Sequence, residues 1–326
     1  MNTSGFTEIK NDVDFEKSAL DTFCYQAEKN IVYKEYLSLL KINTKKIKKI
    51  NEIPFLPVSF YKTHKITTAQ TNSEAVFTSS GTTGDETSKH YVHELSIYKK
   101  SFLKCFEKFY GNPKEYCILA LLPSYLEREG SSLVFMVSEL IKLSENKDSG
   151  FFLENTNELN ITIRKYINAT KKVILLGVSF ALLDFTEKFP QQLTDNFIVM
   201  ETGGMKGRKK EITRQELHQR LYSGFGINTV HSEYGMTELL SQAYSSGNGL
   251  YNCPPWMKIF IRDPYDPFNL LKKGKTGGIN IIDLANKHSC SFIETQDLGK
   301  INDDGSFEVV GRFDNSQIRG CNLLID

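Results

Sequence analysis

The chain has little net charge, no long apolar run and no paired-cysteine motif, and each absence removes a class of protein. Forty Lys and Arg residues against 39 Asp and Glu leave +1 over 326 residues. No bulk field therefore draws the chain to nucleic acid or to an anionic membrane. The longest strongly apolar stretch, Val173 to Leu183, is 11 residues, short of the ~18–20 that span a bilayer. The N-terminal residues carry Glu8, Lys10, Asp12 and Asp14 with no apolar h-region, so no signal peptide is visible and a soluble, cytoplasmic protein is expected. The six cysteines (Cys24, Cys105, Cys117, Cys253, Cys290, Cys321) include no C-x-x-C pair. That spacing supports neither a zinc site nor a disulfide scaffold, and most are expected to be buried, inert thiols. His90, His93, His218 and His288 form no metal-ligand set by spacing. Internal repeats, low-complexity tracts and long linkers are also missing.

What is present is ordinary globular composition, 40% apolar and 24% charged, in a chain long enough to bury a sizeable core. The first 50 residues read as helical and end in the basic stretch Lys41 to Lys49, expected to be a solvated helix face. Asn51 to Ile66 reads as extended chain packed on a core. Short apolar runs at Tyr116 to Leu122, Lys172 to Leu176 (stopped at Gly177) and Phe197 to Met200 predict buried strands. Helical patterns at Ser131 to Glu145, after Gly177 through Lys188, and at Arg214 to Ser223 alternate with them. That order predicts an α/β fold with a parallel sheet flanked by helices. Beyond Gly247, short strands at Met257 to Ile261, Gly278 to Leu284, Ser291 to Glu294 and Phe307 to Val310 predict a small β subdomain.

Four segments carry chemistry. Thr78-Ser79-Ser80-Gly81-Thr82-Thr83-Gly84 follows the apolar Ala75-Val76-Phe77. Strand-then-loop sequences of hydroxyls and glycines suit phosphate, because backbone N–H groups converge on the anion and hydroxyls add donors. No Gly-Lys-Ser/Thr follows, so this is not a Walker A loop. Later come Glu233-Tyr234-Gly235-Met236-Thr237-Glu238, then Gln296-Asp297-Leu298-Gly299, then Gly311-Arg312-Phe313-Asp314. Together they offer a ring for a purine, a hydroxyl and a carboxylate for phosphate and its metal, a lone Asp for ribose, and an Arg.

In that order the four segments resemble the adenylate-forming superfamily of acyl-CoA synthetases and adenylation domains. Pro54 to His64 (PFLPVSFYKTH) and Ile318 to Leu324 (IRGCNLL) narrow the resemblance to the acyl-protein synthetase (LuxE) family, from about Ile53 to the end. The resemblance implies ATP-dependent activation of a fatty or related carboxylic acid to an acyl-adenylate. The acyl group then passes to an enzyme cysteine and on to a partner acyl reductase. It implies that Ser79, Ser80, Gly81, Thr82, Thr83 and Gly84 hold phosphate, that Tyr234 and Gly235 lie against adenine, and that Thr237 touches the α-phosphate. It further implies that Glu238 holds Mg²⁺, that Asp297 and Arg312 bind ribose, and that Gly203 and Gly204 border adenine and the acyl chain. The acyl acceptor it implies is Cys321, with Cys290 the second choice. Lys206 is the candidate for the lysine that assists adenylation, and His231 sits where it could touch substrate; a surface lysine and a structural histidine are equally open.

The domain organisation then expected is a helical segment over 1–50, an α/β ATP- and acyl-binding core over 51–245, and over 246–326 a β-rich subdomain with the acyl-accepting tail. Only six residues follow Gly320, where acyl-CoA synthetases carry a swivelling C-terminal domain, so that domain is expected to be missing. The alternatives are a CoA-dependent acid–thiol ligase resembling phenylacetate–CoA ligase, or a nucleotide-binding subunit without turnover. Gly177-Val178-Ser179-Phe180-Ala181 approaches the esterase elbow G-x-S-x-G but ends in Ala. Ser179 is expected to be a helix N-cap, with Phe180, Leu182 and Leu183 lining a core or acyl pocket.

Overall fold

The computed structural model describes residues 5–68, 72–79, 86–123, 130–203 and 212–313. Its helices are α1 (Asp12–Lys29), α2 (Ile31–Leu39), α3 (Phe60–Thr63), α4 (Leu95–Tyr110), α5 (Ser132–Ser144), α6 (Thr156–Tyr166), α7 (Ser179–Lys188) and α8 (Arg214–Phe225). The strands are β1 (Leu56–Pro57), β2 (Ala75–Thr78), β3 (Lys89–Val92), β4 (Tyr116–Leu121), β5 (Gly150–Phe151), β6 (Lys172–Val178) and β7 (Phe197–Thr202), followed by β8 (His231–Tyr234), β9 (Ala243–Ser245), β10 (Tyr251–Asn252), β11 (Met257–Arg262), β12 (Thr276–Asp283), β13 (Phe292–Ile301) and β14 (Phe307–Arg312). Two compact units divide the chain. One gathers the described residues of Met1–Val76, Ser80–Leu95 and Asn252–Asp326, the other those of Phe77–Ser79 and Ser96–Tyr251. No described helix is long and apolar enough to cross a membrane.

The second unit is the α/β layer that the alternating pattern predicts. Strands β8-β7-β6-β4-β5 lie side by side, all parallel, and β9 pairs antiparallel with β8. All six residues of β4 are buried, as are Val173 to Val178 of β6. Strands covered on both faces need such uninterrupted apolar runs, and each fully buried Leu or Val stabilises by about 1.5–3 kcal/mol. Helix α5 starts where the Ser131 side chain accepts from Val134 N at 3.4 Å. Helix α8 starts where Thr213 accepts from Glu216 N at 3.1 Å, and it ends at Gly226 with φ +63°. Both ends satisfy backbone groups the helix leaves over.

Strand β6 does not stop at Gly177. It runs on to Val178, pairing Gly177 with Leu121 on one side and Glu201 on the other. A Cβ at Gly177 would lie 2.9 Å from Leu121 Cβ and 2.9 Å from Leu182 Cγ. Glycine is there because α7 packs against the strand too closely for a side chain, which also accounts for the near-miss elbow. Ser179 is the first residue of α7 rather than its N-cap, which is Val178; its hydroxyl points to β7 instead. Phe180, Leu182 and Leu183 are buried, as expected.

In the first unit, β11-β12-β13-β14 form an antiparallel array, with β1 parallel to β13. The N-terminal helices belong to this same unit. Buried Gln26 of α1 donates to the carbonyls of Asn286 (3.0 Å) and Lys287 (2.9 Å) and accepts from Ser291 N (2.9 Å). Asn30 donates to Ser289 O at 3.0 Å. Two amides thus satisfy the β12–β13 connection, and Phe23, Tyr33 and Phe292 pack ring on ring beside it. The stretch from Lys41 to Lys49 is not a helix. Lys41 takes φ +57° and ends α2, and the Asn43 side chain accepts from Lys45 N at 3.2 Å to make a short 3-10 turn over Thr44–Lys46. Its lysines are exposed, as a solvated surface requires. Of the expected extended segment Asn51 to Ile66, only Leu56–Pro57 pairs as strand, and Phe60–Thr63 is a helical turn. Strands β13 and β14 run further than their apolar residues suggest, to Ile301 and Arg312.

Candidate functional site

The candidate residues fall into one set in each unit. In the α/β unit they gather at the carboxyl ends of parallel strands, where open α/β sheets present loops to ligands. Thr202 of β7 pairs with Glu233 of β8, so Gly203 and Tyr234 are neighbours at that edge. Gly203 has φ +60°, a left-handed turn that glycine adopts without strain. Its carbonyl accepts from Ser179 Oγ at 2.6 Å, and the same hydroxyl lies 3.2 Å from Glu201 Oε2. Glu201 is buried, with His218 Nε2 at 3.7 Å and Arg214 Nε at 3.9 Å from its other oxygen. A buried carboxylate needs such partners. Arg214 in turn lies over the Tyr251 ring, 5.2 Å from its centroid. Tyr251 meets the Tyr234 ring edge-on at 5.9 Å, and burial holds its phenol above the usual range. The contacts thus run from Gly203 through Ser179, Glu201, Arg214 and Tyr251 to Tyr234.

Tyr234 itself is buried, its hydroxyl donating to Met236 Sδ at 3.7 Å. Glu233 is buried beside it and accepts from Thr202 Oγ1 at 2.5 Å. A Cβ at Gly235 would lie 2.5 Å from Glu233 Oε1, so the residue after the tyrosine is kept small by the carboxylate before it. Thr237 and Glu238 follow in the turn, Glu238 buried at 5% exposure. Their hydroxyl and carboxylate are hard oxygen donors of the kind Mg²⁺ accepts alongside phosphate oxygens and water. Among the described residues there is no cluster of three His, Cys, Asp or Glu that could hold a metal by itself.

His231 begins β8, three residues before Tyr234 and so about 10 Å along the strand. Strand alternation also turns the two side chains to opposite faces. Its Nδ1 is 3.2 Å from the Tyr110 hydroxyl, and burial lowers its pKa from the usual imidazole value, so it is neutral at pH 7. Ser79 ends the described part of the loop after β2.

In the β unit, Asp297 of β13 sits opposite Arg312 of β14 in the register. Arg312 Nε lies 3.4 Å from Asp297 Oδ1, with the guanidinium largely in solvent and the carboxylate mostly covered. The two expected ribose residues are therefore brought together by strand pairing. Cys290, the second-choice acyl acceptor, is fully buried and donates to Phe292 O at 3.4 Å; burial pushes its thiol up to about 12. It is no nucleophile in the folded protein. Ser80, Gly81, Thr82, Thr83, Gly84, Gly204, Lys206 and Cys321 lie outside the described residues.

Sequence reasoning gave no site role to Thr202, Glu201, Arg214 and Tyr251, and it read Ser179 as a helix N-cap. The signal available for two of them was a pair of polar residues, Glu201 and Thr202, closing an otherwise apolar strand.

Comparison with known proteins follows the same lines. The family model described as acyl-protein synthetase, LuxE, matches residues 6–326. No curated protein sequence matches the chain at a significant level. Among solved structures, ATP-bound MatB from Rhodopseudomonas palustris is similar at 17% identity and a TM-score of 0.55, over 73% of this chain and 48% of that one. A 2-hydroxyisobutyryl-CoA ligase in its postadenylation state, in complex with 2-HIB-AMP, gives 12% identity and a TM-score of 0.71, over 93% and 68%. The luciferase-like enzyme of the nonluminescent mealworm Zophobas morio gives 16% and 0.53, over 75% and 58%. At these identities the likeness establishes the fold, and the chain spans about half the length of the MatB structure.

Proposed function

Because the chain belongs to the acyl-protein synthetase (LuxE) family, we propose that it is an ATP-dependent acid–thiol ligase of the cytoplasm that activates a carboxylic acid, of the fatty acid class. The carboxylate oxygen attacks the α-phosphorus of ATP, and the α–β bridging bond breaks to release pyrophosphate and leave acyl-adenylate. The thiolate of Cys321 then attacks the acyl carbonyl, AMP leaves, and a thioester remains for transfer to a reductase thiol. A thioester keeps much of the activation of the mixed anhydride. The observation that carries the proposal is the family match along residues 6–326.

Within it, the loop from Ser79 to Gly84 and Thr237 hold phosphates, and the Tyr234 and Gly203–Gly204 region receives adenine. Asp297 with Arg312 takes the ribose. Glu238 with Thr237 holds Mg²⁺, which when bound supplies positive charge against the triphosphate. Lys206 is assigned to the acyl and α-phosphate side; His231, on the strand face opposite Tyr234 and against Tyr110, is assigned no contact with the nucleotide. Support for the nucleotide reading comes from the polar groups already converging at the β7–β8 edge and from the Asp297–Arg312 pair, set face to face by their strands.

The test is ATP–pyrophosphate exchange with a panel of fatty and aryl carboxylic acids. Acid-dependent exchange is expected, with most of it lost in Glu238→Gln, where a neutral amide replaces a metal-binding carboxylate. Exchange undiminished in that variant would remove the metal role. With radiolabelled acid and ATP, the denatured protein should carry a hydroxylamine-labile label that Cys321→Ser loses while still releasing pyrophosphate. The similarity to a CoA ligase favours a second acceptor. Label that leaves the protein only when CoA is added would select it, and an absence of exchange with every acid would favour a non-catalytic nucleotide-binding subunit.

A further inference from the structure

Strand β13 carries an irregularity at the candidate ribose residue. The pairing with β12 runs Gly278 to Leu298 and then Asn280 to Glu294. Three residues of β13 (Thr295, Gln296 and Asp297) therefore face a single residue of β12, Ile279. Such a bulge releases backbone groups from the ladder, and buried ones must find other partners. Here each has one. The Ile279 carbonyl accepts from Arg262 Nη1 at 3.0 Å and from Thr295 Oγ1 at 2.8 Å. The Thr295 carbonyl accepts from Arg262 Nη2 at 2.7 Å. The Gln296 carbonyl accepts from Phe313 N at 2.8 Å. Asp297 N donates to Thr295 Oγ1 at 3.1 Å.

Arg262 is 5% exposed and Thr295 1%. The guanidinium also donates to Asn280 Oδ1 at 2.9 Å, lies 3.5 Å from Glu294 Oε1, and packs on the Phe313 ring at 5.2 Å. A Cβ at Gly278 would fall on the guanidinium itself, so the strand leaves it a place. A buried cation costs several kcal/mol in desolvation unless its donors are met. An apolar side chain at position 262 could fill the same volume, but it could not bond two carbonyls that the bulge has turned out of the ladder. A lysine carries its three donors on a single nitrogen and lacks the planar fork with which Nη1 and Nη2 reach the two carbonyls separately.

We infer that Arg262 and Thr295 are positioning residues: they hold the β13 bulge and thereby aim the Asp297 carboxylate, setting how strongly the protein selects a nucleotide that carries ribose hydroxyls. The inference rests on the proposed role of Asp297 at the ribose. Neither side chain touches nucleotide in this scheme. Thr295 fixes the Asp297 amide, and Arg262 fixes both carbonyls that flank it in the network.

The experiment measures binding of Mg·ATP and of Mg·2′,3′-dideoxy-ATP by calorimetry, with no acid present. The ratio of the two dissociation constants is the readout, because a loss of stability alone lowers both affinities without changing the ratio. Hydrogen bonds from two hydroxyls to a carboxylate give an expected preference for ATP of about a hundredfold or more. Asp297→Asn should erase most of it. Thr295→Val, which keeps shape and removes the hydroxyl, should reduce it about three- to tenfold, and Arg262→Lys at least as much. Thr295→Val also serves if Arg262→Lys does not fold. If Asp297→Asn loses the preference while folded Thr295→Val and Arg262→Lys keep it in full, the positioning role is refuted and the ribose reading stands. If Asp297→Asn leaves the preference unchanged, the ribose reading is refuted and the inference falls with it.

Discussion

Replacing Gly177 by alanine separates two opposed physical arguments. Glycine within a strand is unfavourable relative to alanine by about 0.5–1 kcal/mol, chiefly through unfolded-state entropy. Propensity alone therefore predicts that Gly177→Ala stabilises. The packing predicts the reverse. The new Cβ would sit 2.9 Å from Leu121 Cβ, 2.9 Å from Leu182 Cγ and 3.1 Å from Leu182 Cδ2, where carbon pairs settle at about 3.5–4.0 Å. Leu121 Cβ cannot rotate away, since it is fixed to the backbone of β4 and pairs directly with position 177. Leu182 is fully buried on α7, so relief requires moving the helix off the sheet. Overpacking of this kind costs about 1–3 kcal/mol, which after the entropic gain leaves a net loss of up to about 2.5 kcal/mol, centred near 1 kcal/mol. Urea unfolding followed by far-UV circular dichroism measures it, as a midpoint lowered by a few tenths of a molar at unchanged slope. Gly311→Ala is the control, because no heavy atom lies within 4 Å of its Cβ position; it should unfold at or slightly above the wild-type midpoint. A Gly177→Ala midpoint equal to or above wild type would refute the packing argument.

Three further outcomes are expected. Ser179→Ala removes the donor shared by Gly203 O and Glu201; the loss of about 1.5–3 kcal/mol for a bond to a charged group should appear as faster amide hydrogen exchange at the end of β7. His231 has a lowered pKa through burial, so the unfolded chain takes up the proton first as pH falls. Its contribution to stability is whole above about pH 6.5 and is lost below it, and His231→Gln should flatten the fall in Tm between pH 7.5 and 5.5. Iodoacetamide at pH 8 should label exposed Cys24 quickly and leave Cys290, whose thiol is pushed up to about 12, unlabelled until the protein is denatured; mass spectrometry of tryptic peptides reads both.

The α/β layer was legible because burial on both faces writes itself as unbroken apolar runs. Tyr116 to Leu122 and Lys172 to Leu176 predicted β4 and most of β6, and the period through Leu133, Val134, Met136, Val137, Leu140 and Ile141 predicted α5. Reading failed where the deciding partner is distant in the chain. Gly177 looked like a stop because glycine ordinarily punctuates; the neighbour that requires it, Leu121, lies 56 residues earlier. Ser179 had the chemistry of an N-cap, yet its hydroxyl goes to Gly203 O. The lysines from 41 to 49 read as a helix face because charge periodicity does not show a backbone that turns left-handed at Lys41. Gln26 and Asn30 carry no local sign of their burial. Their partners, near Asn286 to Ser291, are some 260 positions away.

The candidate site was legible in a different sense. Its residue types were readable as chemistry, whereas the geometry that positions them was not. Glu294-Thr295-Gln296-Asp297-Leu298-Gly299 looks like the end of a strand followed by a turn, since Asp and Gly disfavour strands. The chain instead continues as β13 to Ile301, because β12 on one side and β14 on the other supply the ladder. The mismatch between local preference and imposed pairing is absorbed in the bulge at Thr295, Gln296 and Asp297. A buried arginine from β11, 35 residues upstream of Asp297, meets the carbonyls that the bulge exposes. Polar, weakly strand-forming residues survive in mid-sheet when something is gained from their side chains, and departures from local rules concentrate at functional sites. Asp297 and Arg312 thus face each other because strand pairing holds a locally unfavourable sequence, with Arg262 bonding the carbonyls at its bulge. Had the segment been a free turn, as its composition suggests, neither the carboxylate nor the guanidinium would be held in register with the other.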